Sequence, residues 1–371
     1  MSRHILVVGG GIGGMSAAIG LRQKGMAVTL IDADPEWKVV GAGITISGPT
    51  LRAFKQLGIL DAVRSQGFMS DAVHFHQADG TLIRTMPTPT LEADIPPAGG
   101  ILRPVLHHIL SDRVKMLGAD IRLGVTVSAM EDDGAQVRVD FSDGSSGRYD
   151  AVIGADGYQS ATRRLILPDA PAPAFVGQGC WRVLAPRPAS VQGAQIYFGP
   201  GYKVGVNPCS ADSLYLFCTL AMPGNPFIPQ SEWLDRVRDI LAPFGGSIAT
   251  IREGLGPQSE VNYRPLEALL LPLPWHVGRI GLIGDAIHAT TPHLASGAGL
   301  AVEDGVLLAE ILATESDIER AWTAWEQRRW ERCRVTLENS LRISALEIEG
   351  GHDAEVARIM AESVAILAQP M

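Results

Sequence analysis

His4-Ile5-Leu6-Val7-Val8-Gly9-Gly10-Gly11-Ile12-Gly13-Gly14, running on to Leu30-Ile31-Asp32, is the stretch on which the reading of this chain turns. Ile5 to Val8 is an unbroken apolar run, the pattern of a strand buried on both faces of a parallel sheet. Gly9, Gly11 and Gly14 satisfy G-x-G-x-x-G. The three glycines of that motif serve separate purposes, namely a tight turn, close approach of backbone to a pyrophosphate, and close packing of helix on strand. Met15 to about Lys24 reads as a helix whose N-terminal N–H groups and dipole favour a phosphate. Ala27 to Ile31 is a second apolar strand, and Asp32 at its end can accept hydrogen bonds from an adenosine ribose. A strand before, a helix after, a second strand and an acid at its tip together predict a dinucleotide site. An acid at that place suits an unphosphorylated ribose, hence FAD or NAD rather than NADP.

Composition sets the frame around this unit. With 371 residues the chain can bury a large core, and about two domains are expected. A formal charge of −9 argues against a nucleic-acid partner, which needs a basic surface. No window offers the roughly 20 apolar residues of a membrane span, and the N-terminus passes directly into a core strand, so a cytoplasmic protein is expected. Cys180, Cys209, Cys218 and Cys333 are widely spaced without a C-x-x-C pattern, which predicts buried free thiols and neither a metal site nor a disulfide framework.

Further along, Pro49 to Val63 carries Leu51, Phe54, Leu57 and Leu60 at helical spacing. Val73 to Ile83 with its Asp79-Gly80 turn predicts a hairpin, Met86 to Pro97 a loop, and Val105 to Leu117 a helix with proline in its first turn. Asp120 to Val127 and Gln136 to Phe141 look antiparallel. Asp150 to Gly157 is another buried strand ending in glycines. Cys180 to Tyr263 has short strands separated by Pro and Gly, with a helix near Trp233 to Leu241, and reads as a mixed-sheet domain inserted into the first. Arg279 to Asp285 returns to the buried-strand pattern, followed by a helix from about Gly299 to Ala313. Ser316 and Glu319 suggest a capping box for a long helix in which Ile318, Trp322, Trp325 and Arg329 share a face, and Glu355 to Leu367 reads as a last helix.

Three anchors occur in order and far apart: the opening βαβ unit, Gly154-Ala155-Asp156-Gly157-Tyr158-Gln159-Ser160-Ala161-Thr162-Arg163, and Gly284-Asp285-Ala286-Ile287-His288-Ala289-Thr290-Thr291-Pro292. Together they resemble the single-component FAD-dependent aromatic hydroxylases of the para-hydroxybenzoate and salicylate hydroxylase type, over about Ile5 to Arg329. The resemblance implies an α/β fold: a discontinuous Rossmann-type FAD-binding domain (1–70, 98–175 and 268–315), an inserted mixed-sheet substrate domain (71–97 and 176–267), and C-terminal helices (316–371). It further implies non-covalent FAD held by Gly9, Gly11, Gly14 and Asp32 on the ADP half, with Thr45, Val127 and Asp156 as further contacts. Arg103 would reach the phosphates and Asp285 the ribityl chain. Ser296-Gly297-Ala298-Gly299 opens a helix whose N–H groups suit the pyrimidine edge of a reduced flavin. Many relatives have Gly-Gln-Gly after the Pro292 position. Here Ala295-Ser296-Gly297-Ala298-Gly299 stands instead, which alters the pocket over the ring.

Similar enzymes have no separate nicotinamide domain. NADH or NADPH reduces the flavin and leaves, and oxygen forms a flavin 4a-hydroperoxide that attacks an electron-rich ring carbon. The expected substrate is a small aromatic or N-heteroaromatic acid or phenol. The alternatives are a larger apolar aromatic of quinolone or polyketide type, or an oxidase or dehydrogenase reaction. His293, after Pro292, is the expected base, since an imidazole can take a phenolic proton at neutral pH. His288 belongs to the general motif and is expected to orient the loop. Lys203 and Tyr215 match substrate-contacting positions of urate-type relatives, Lys203 pairing with an anion and Tyr215 donating a hydrogen bond. Trp181-Arg182 is given a structural role. A homodimer is the common default. The halogenase signature Trp-x-Trp-x-Ile-Pro is absent, and the segment after Asp353 is too short and mixed for a membrane epoxidase tail.

Overall fold

A computed structural model describes residues 3–39 and 41–371. Its centre is a six-stranded sheet in the order His276–Val277, Ile280–Leu282, Ala151–Gly154, His4–Val8, Ala27–Asp32, Asp120–Leu123. All neighbours are parallel except the short His276–Val277 edge. The unbroken apolar run in His4–Val8 follows from cover on both faces. Ile5 and Val7 pack against the helices Ile12–Gln23 and Gly297–Thr314. Leu6 and Val8 pack under the antiparallel meander Val127–Asp132, Val137–Phe141 and Ser146–Tyr149.

The two covering helices approach closely because small residues face each other. A Cβ at Gly305 would lie 2.4 Å from the backbone nitrogen of Ala17, and one at Gly20 would lie 2.9 Å from Ala309 Cβ. That closeness places the glycine turn of one helix beside the N-terminus of the other.

Four expectations need correction. Asp120–Leu123 is not antiparallel: the helix Arg103–Met116 carries the chain back over the sheet, so the strand arrives parallel to Ala27–Asp32. Gly124, at φ +73°, then turns the chain into the meander. The single helix expected over Pro49 to Val63 is two, Gly48–Gln56 and Leu60–Gln66, interrupted by Gly58 at φ +70°, a left-handed conformation that ends a helix. Ala98–Leu102, left without an element between the expected loop and the expected helix, is the middle strand of a small antiparallel sheet between Gly43–Ser47 and Phe68–Ser70. The long helix is capped by Asp317, whose carboxylate accepts from the Arg320 backbone N–H at 2.9 Å, rather than by Ser316 and Glu319.

The inserted region forms a seven-stranded sheet in the order Val261–Ala268, Ala174–Pro186, Ser213–Ala221, Lys203–Pro208, Ala194–Phe198, Ala72–Gln77, Leu82–Pro87. The hairpin turning at Asp79-Gly80 thus joins it. One face, with Val183, Val204, Leu214 and Leu216, is closed by the helices Trp233–Leu241 and Gly246–Glu253. Strand alternation turns Arg182, Lys203, Asn207, Tyr215, Phe217 and Thr219 to the other face, where Tyr215 packs with Ala42.

The helix Ile318–Glu349 has 32 residues, about 48 Å of rise. Its first half buries Trp322 and Trp325 beside Trp275. Its second half reaches the seven-stranded sheet, where Ser344 Oγ donates to Gln178 Oε1 at 2.6 Å. All four cysteines are buried and free. Among the described residues no helix is long and apolar enough to cross a membrane.

Gly305→Ala should lower stability by about 1–3 kcal/mol through overpacking against the Ala17 backbone, seen as a lower urea midpoint at unchanged slope. An unchanged midpoint would show that the two helices are not in contact as described.

Candidate active site

The three glycines of the opening turn do different things in space. Gly9, at φ +107°, passes so close to the neighbouring strand end that a Cβ would stand 2.4 Å from Ala155 O. A Cβ on Gly14 would meet Gly9 O at 1.9 Å. Gly11 differs: nothing lies within 4 Å of the place its Cβ would take, and it caps the helix Ile12–Gln23 without any side chain satisfying the free N–H groups. An open position over bare helix N–H groups is a cradle for a pyrophosphate.

Asp32 holds the turn from the next strand, accepting from the Gly10 N–H at 2.6 Å and the Asp34 N–H at 2.8 Å. Trp37 closes over it, donating from Nε1 to Gly10 O at 2.9 Å, with the His107 ring edge-on at 5.4 Å. Val127 begins the meander strand beside this end of the sheet, its side chain buried with Ile31. Asp156 turns its carboxylate onto Ser160 and Thr162, capping the helix Ala161–Ile166.

The groove continues past Arg103 and Asp285. Asp285 opens the short helix Asp285–His288 and is exposed to solvent, although many protein atoms surround its carboxylate. Burial raises its pKa, with His288 and Arg103 acting in the opposite direction. Burial and the nearby Arg182 likewise lower that of Arg103. The Arg103 guanidinium has no hydrogen bond or ion pair among the described residues. Two opposite charges line a deep cleft, each displaced toward its neutral form, and a cofactor's phosphates and hydroxyls can partner them.

At the far end, the loop before the helix Gly297–Thr314 is fixed from below. Asp304 accepts from the Gly284 N–H at 2.8 Å, from His288 Nε2 at 2.7 Å and from Arg329 Nε at 2.7 Å. Burial would raise its pKa, but His288 and Arg329 outweigh burial and hold it down. His288 is thereby tied to the helix Gly297–Thr314 through Asp304. Ala295 sits in the left-handed region at φ +49°, and the helix begins without a capping side chain, leaving the N–H groups around Gly297, Ala298 and Gly299 free of one.

His293 is enclosed, its side chain only 1% exposed. Nδ1 lies 2.9 Å from Thr291 Oγ1, and Nε2 lies 3.4 Å from Glu347 Oε2 on the long helix. The other oxygen, Glu347 Oε1, accepts from Lys203 Nζ at 2.5 Å, and Thr219 Oγ1 donates to Oε2 at 3.3 Å. Burial raises the Glu347 pKa, but His293 and Lys203 outweigh it and hold it at about 2. Tyr215 belongs to a different cluster. Its hydroxyl meets Thr45 Oγ1, which also accepts from Asn207 Nδ2 at 3.0 Å, and burial pushes its pKa up to about 12. The structure thus brings Lys203 and His293 together through Glu347 and places Tyr215 and Thr45 at the join between the small sheet and the seven-stranded one.

The sequence matches the FAD binding domain family over residues 3–328. The chain belongs to this family. Within it, this flavin hydroxylase is 32% identical to YetM of Bacillus subtilis, which bears the name of an FAD-dependent monooxygenase, covering 98% of this chain and 99% of that one. It is 30% identical to the aurachin C monooxygenase/isomerase of Stigmatella aurantiaca, covering 92% and 89%. It is also 30% identical to an FAD-dependent urate hydroxylase of Mycolicibacterium vanbaalenii, covering 88% and 84%. Klebsiella pneumoniae HpxO complexed with FAD and uric acid superposes with a TM-score of 0.86 over 99% of this chain and 97% of that one. At 24% identity that likeness is one of fold. The hydroxylase is a single-component flavoprotein with FAD as its cofactor, and the open face of Gly11 and the unpartnered Arg103 fit that group.

Glu347, Asp304 and Trp37 escaped the sequence reading. Glu347 lies far from every motif, and its only trace is helical spacing from Ser340 and Ser344, which also face inward. Asp304 reads as one more acid in an apolar helix.

Gly11→Val should leave the stability of the apoprotein within about 1 kcal/mol, because no atom opposes the new side chain, yet abolish FAD retention in gel filtration. Retained FAD would mean that the phosphates do not cross Gly11. The Glu347 carboxylate, held at about 2 against an ordinary value near 4.5, contributes stability that is complete above the ordinary value and is lost as the pH falls toward 2, on the order of 3 kcal/mol at most. Urea unfolding of wild type and Glu347→Gln should give a stability gap that is steady near neutrality and narrows on acidification. A gap independent of pH would contradict this placement.

Proposed function

We propose that this protein inserts one oxygen atom of O2 into an aromatic or N-heteroaromatic ring that carries a ring hydroxyl or N–H, with NADH or NADPH as reductant. The observation that carries this reading is the geometry at the groove's end. An anion-friendly helix start at Gly297-Ala298-Gly299 follows His293 within a few residues, and His293 adjoins Glu347, which meets Lys203 and Thr219 on a sheet face with both apolar and polar side chains. When bound, FAD supplies the redox chemistry, accepting hydride and activating oxygen.

The protein's part is placement, exclusion of water and the handling of one proton. Gly9, Gly11, Gly14 and Asp32 would take the ADP half, with backbone near Val127 beside the adenosine and the turn at Asp156 closing that side. Arg103 and Asp285 would face the phosphates and ribityl chain, and the strand carrying Thr45 would run beside the ring. The hydrogen-bond chain below His293 assigns its ring. Ser340 Oγ donates to Thr291 O at 3.0 Å, so the Thr291 hydroxyl donates to Ser340 Oγ at 2.8 Å, and Thr291 Oγ1 accepts from His293 Nδ1–H. Nε2 makes no hydrogen bond and is buried 3.4 Å from Glu347 Oε2, and it is the nitrogen that would take a proton from a substrate able to reach it. The cation that forms there lies beside the Glu347 carboxylate. Loss of the ring proton makes the ring electron-rich, which electrophilic oxygenation requires.

Wild-type protein loaded with FAD should oxidise NADH or NADPH faster in the presence of a hydroxylated heteroaromatic, and the product should contain one atom from 18O2. Product formed without label would instead indicate an oxidase or dehydrogenase. His293→Ala should lower kcat by about 100-fold or more while FAD stays bound. Full turnover with an unchanged pH profile would remove His293 from the mechanism.

A further inference from the structure

Lys203 is expected from the sequence to receive an anionic group of the substrate, and the structure gives it an anion already. Glu347 enters the pocket from the last turn of the helix Ile318–Glu349, with 18% of its side chain exposed, and engages Lys203 through one oxygen and His293 and Thr219 through the other. These four residues come from the long helix, the strands Lys203–Pro208 and Ser213–Ala221, and the Pro292–Leu294 turn, which are the elements that meet there. The Lys203 and Glu347 charges cancel. Arg182 lies elsewhere: in the register of the sheet it is two strands and one row of side chains away from Lys203, in the field of Arg103. Around Lys203 the sheet face is mixed: Thr219 shares it on one neighbouring strand, and Phe198, directly paired to Lys203 on the other, stacks on Phe75 at 6.0 Å, with the Arg84 guanidinium over the Phe75 ring.

A carboxylate arriving at Lys203 would have to displace Glu347 or lie against it. Separating this partly buried ion pair leaves a poorly solvated charge without its partner, which is unfavourable. An uncharged ring leaves the pair intact and meets Phe198 and Phe75. We infer that Glu347 is a positioning and specificity-determining residue, which neutralises Lys203 and faces the proton-accepting nitrogen of His293. The pocket therefore takes a heteroaromatic that is uncharged on arrival and carries an acidic ring hydroxyl or N–H, in preference to the corresponding carboxylic acid. This rests on the hydroxylase reading above, but it can be tested without turnover.

The test uses the FAD-loaded protein with two probes, 4-hydroxyquinoline and 4-hydroxyquinoline-2-carboxylate, and reads binding by the perturbation of the flavin absorbance. Wild type should bind the uncharged probe at least about tenfold more tightly than the carboxylate, a difference of about 1.4 kcal/mol. Glu347→Gln should reverse the preference by freeing Lys203, and should lower kcat more than it raises KM for any ring compound that is turned over. Glu347→Asp should restore the wild-type order. If Glu347→Gln fails to fold, the double variant Lys203→Met/Glu347→Gln, which removes both charges, should keep the uncharged probe's preference and gain nothing for the carboxylate. Equal or tighter binding of the carboxylate to wild type, binding of neither probe, or an unchanged preference in Glu347→Gln would overturn the inference. Absence of stimulated NAD(P)H oxidation with every ring compound tested would overturn the hydroxylase reading instead.

Discussion

Asp304 is fully buried, and each of its contacts is with protein: the Gly284 N–H and His288 on one oxygen, Arg329 on the other. A buried carboxylate so surrounded is costly to form and more costly to break, about 3–5 kcal/mol when one partner is lost. What it secures is geometry. Gly284 lies immediately before Asp285, and His288 leads into the loop that holds His293. A single carboxylate therefore fixes the turn before Asp285 and the start of the loop that carries His293. Arg329 also binds Glu303 at 2.9 Å, and Glu303 binds Arg332 at 2.7 Å. Arg332 in turn donates to Leu367 O, so the same network fastens the last helix.

The helix Ile318–Glu349 is the mechanical consequence of this network. It is anchored at Arg329 and Arg332, and it is long enough to reach from the parallel sheet to the seven-stranded one. Ser340 meets the loop at Thr291, Ser344 meets Gln178, and Glu347 meets Lys203 and Thr219. Residues spaced by three and four along one helix face therefore connect the loop at Thr291 to the seven-stranded sheet. The pocket is bounded by parts of the chain that share no motif, and its charge balance is set by a residue from the C-terminal region.

The nucleotide-binding unit was legible because its requirements are local. A strand buried on both faces must be apolar throughout, as Ile5 to Val8 is, and a turn that brushes Ala155 at 2.4 Å accepts only glycine at Gly9. The hairpin at Asp79-Gly80 and the buried thiols were legible for similar reasons. The direction of Asp120–Leu123 was not, because a four-residue edge strand carries too little pattern to distinguish parallel from antiparallel pairing. Nor was the strand Ala98–Leu102, whose glycines Gly99 and Gly100 carry no strand pattern. A Cβ on Gly100 would meet Pro208 O at 2.2 Å, so those glycines serve close packing against the other sheet.

By itself the sequence determined the dinucleotide fold and the order of its three anchors, since each depends on neighbours within a turn or a strand. Tertiary structure alone decided what those residues face. Lys203 and Glu347 are 144 positions apart in the chain, and Tyr215 and Thr45 are 170 apart. Whether a lysine in a strand greets a substrate or a glutamate depends on where a 32-residue helix ends in space, and no local pattern records that. Long-range charge pairing is fixed only when the elements have packed, because it depends on distance and burial rather than on the order of residues.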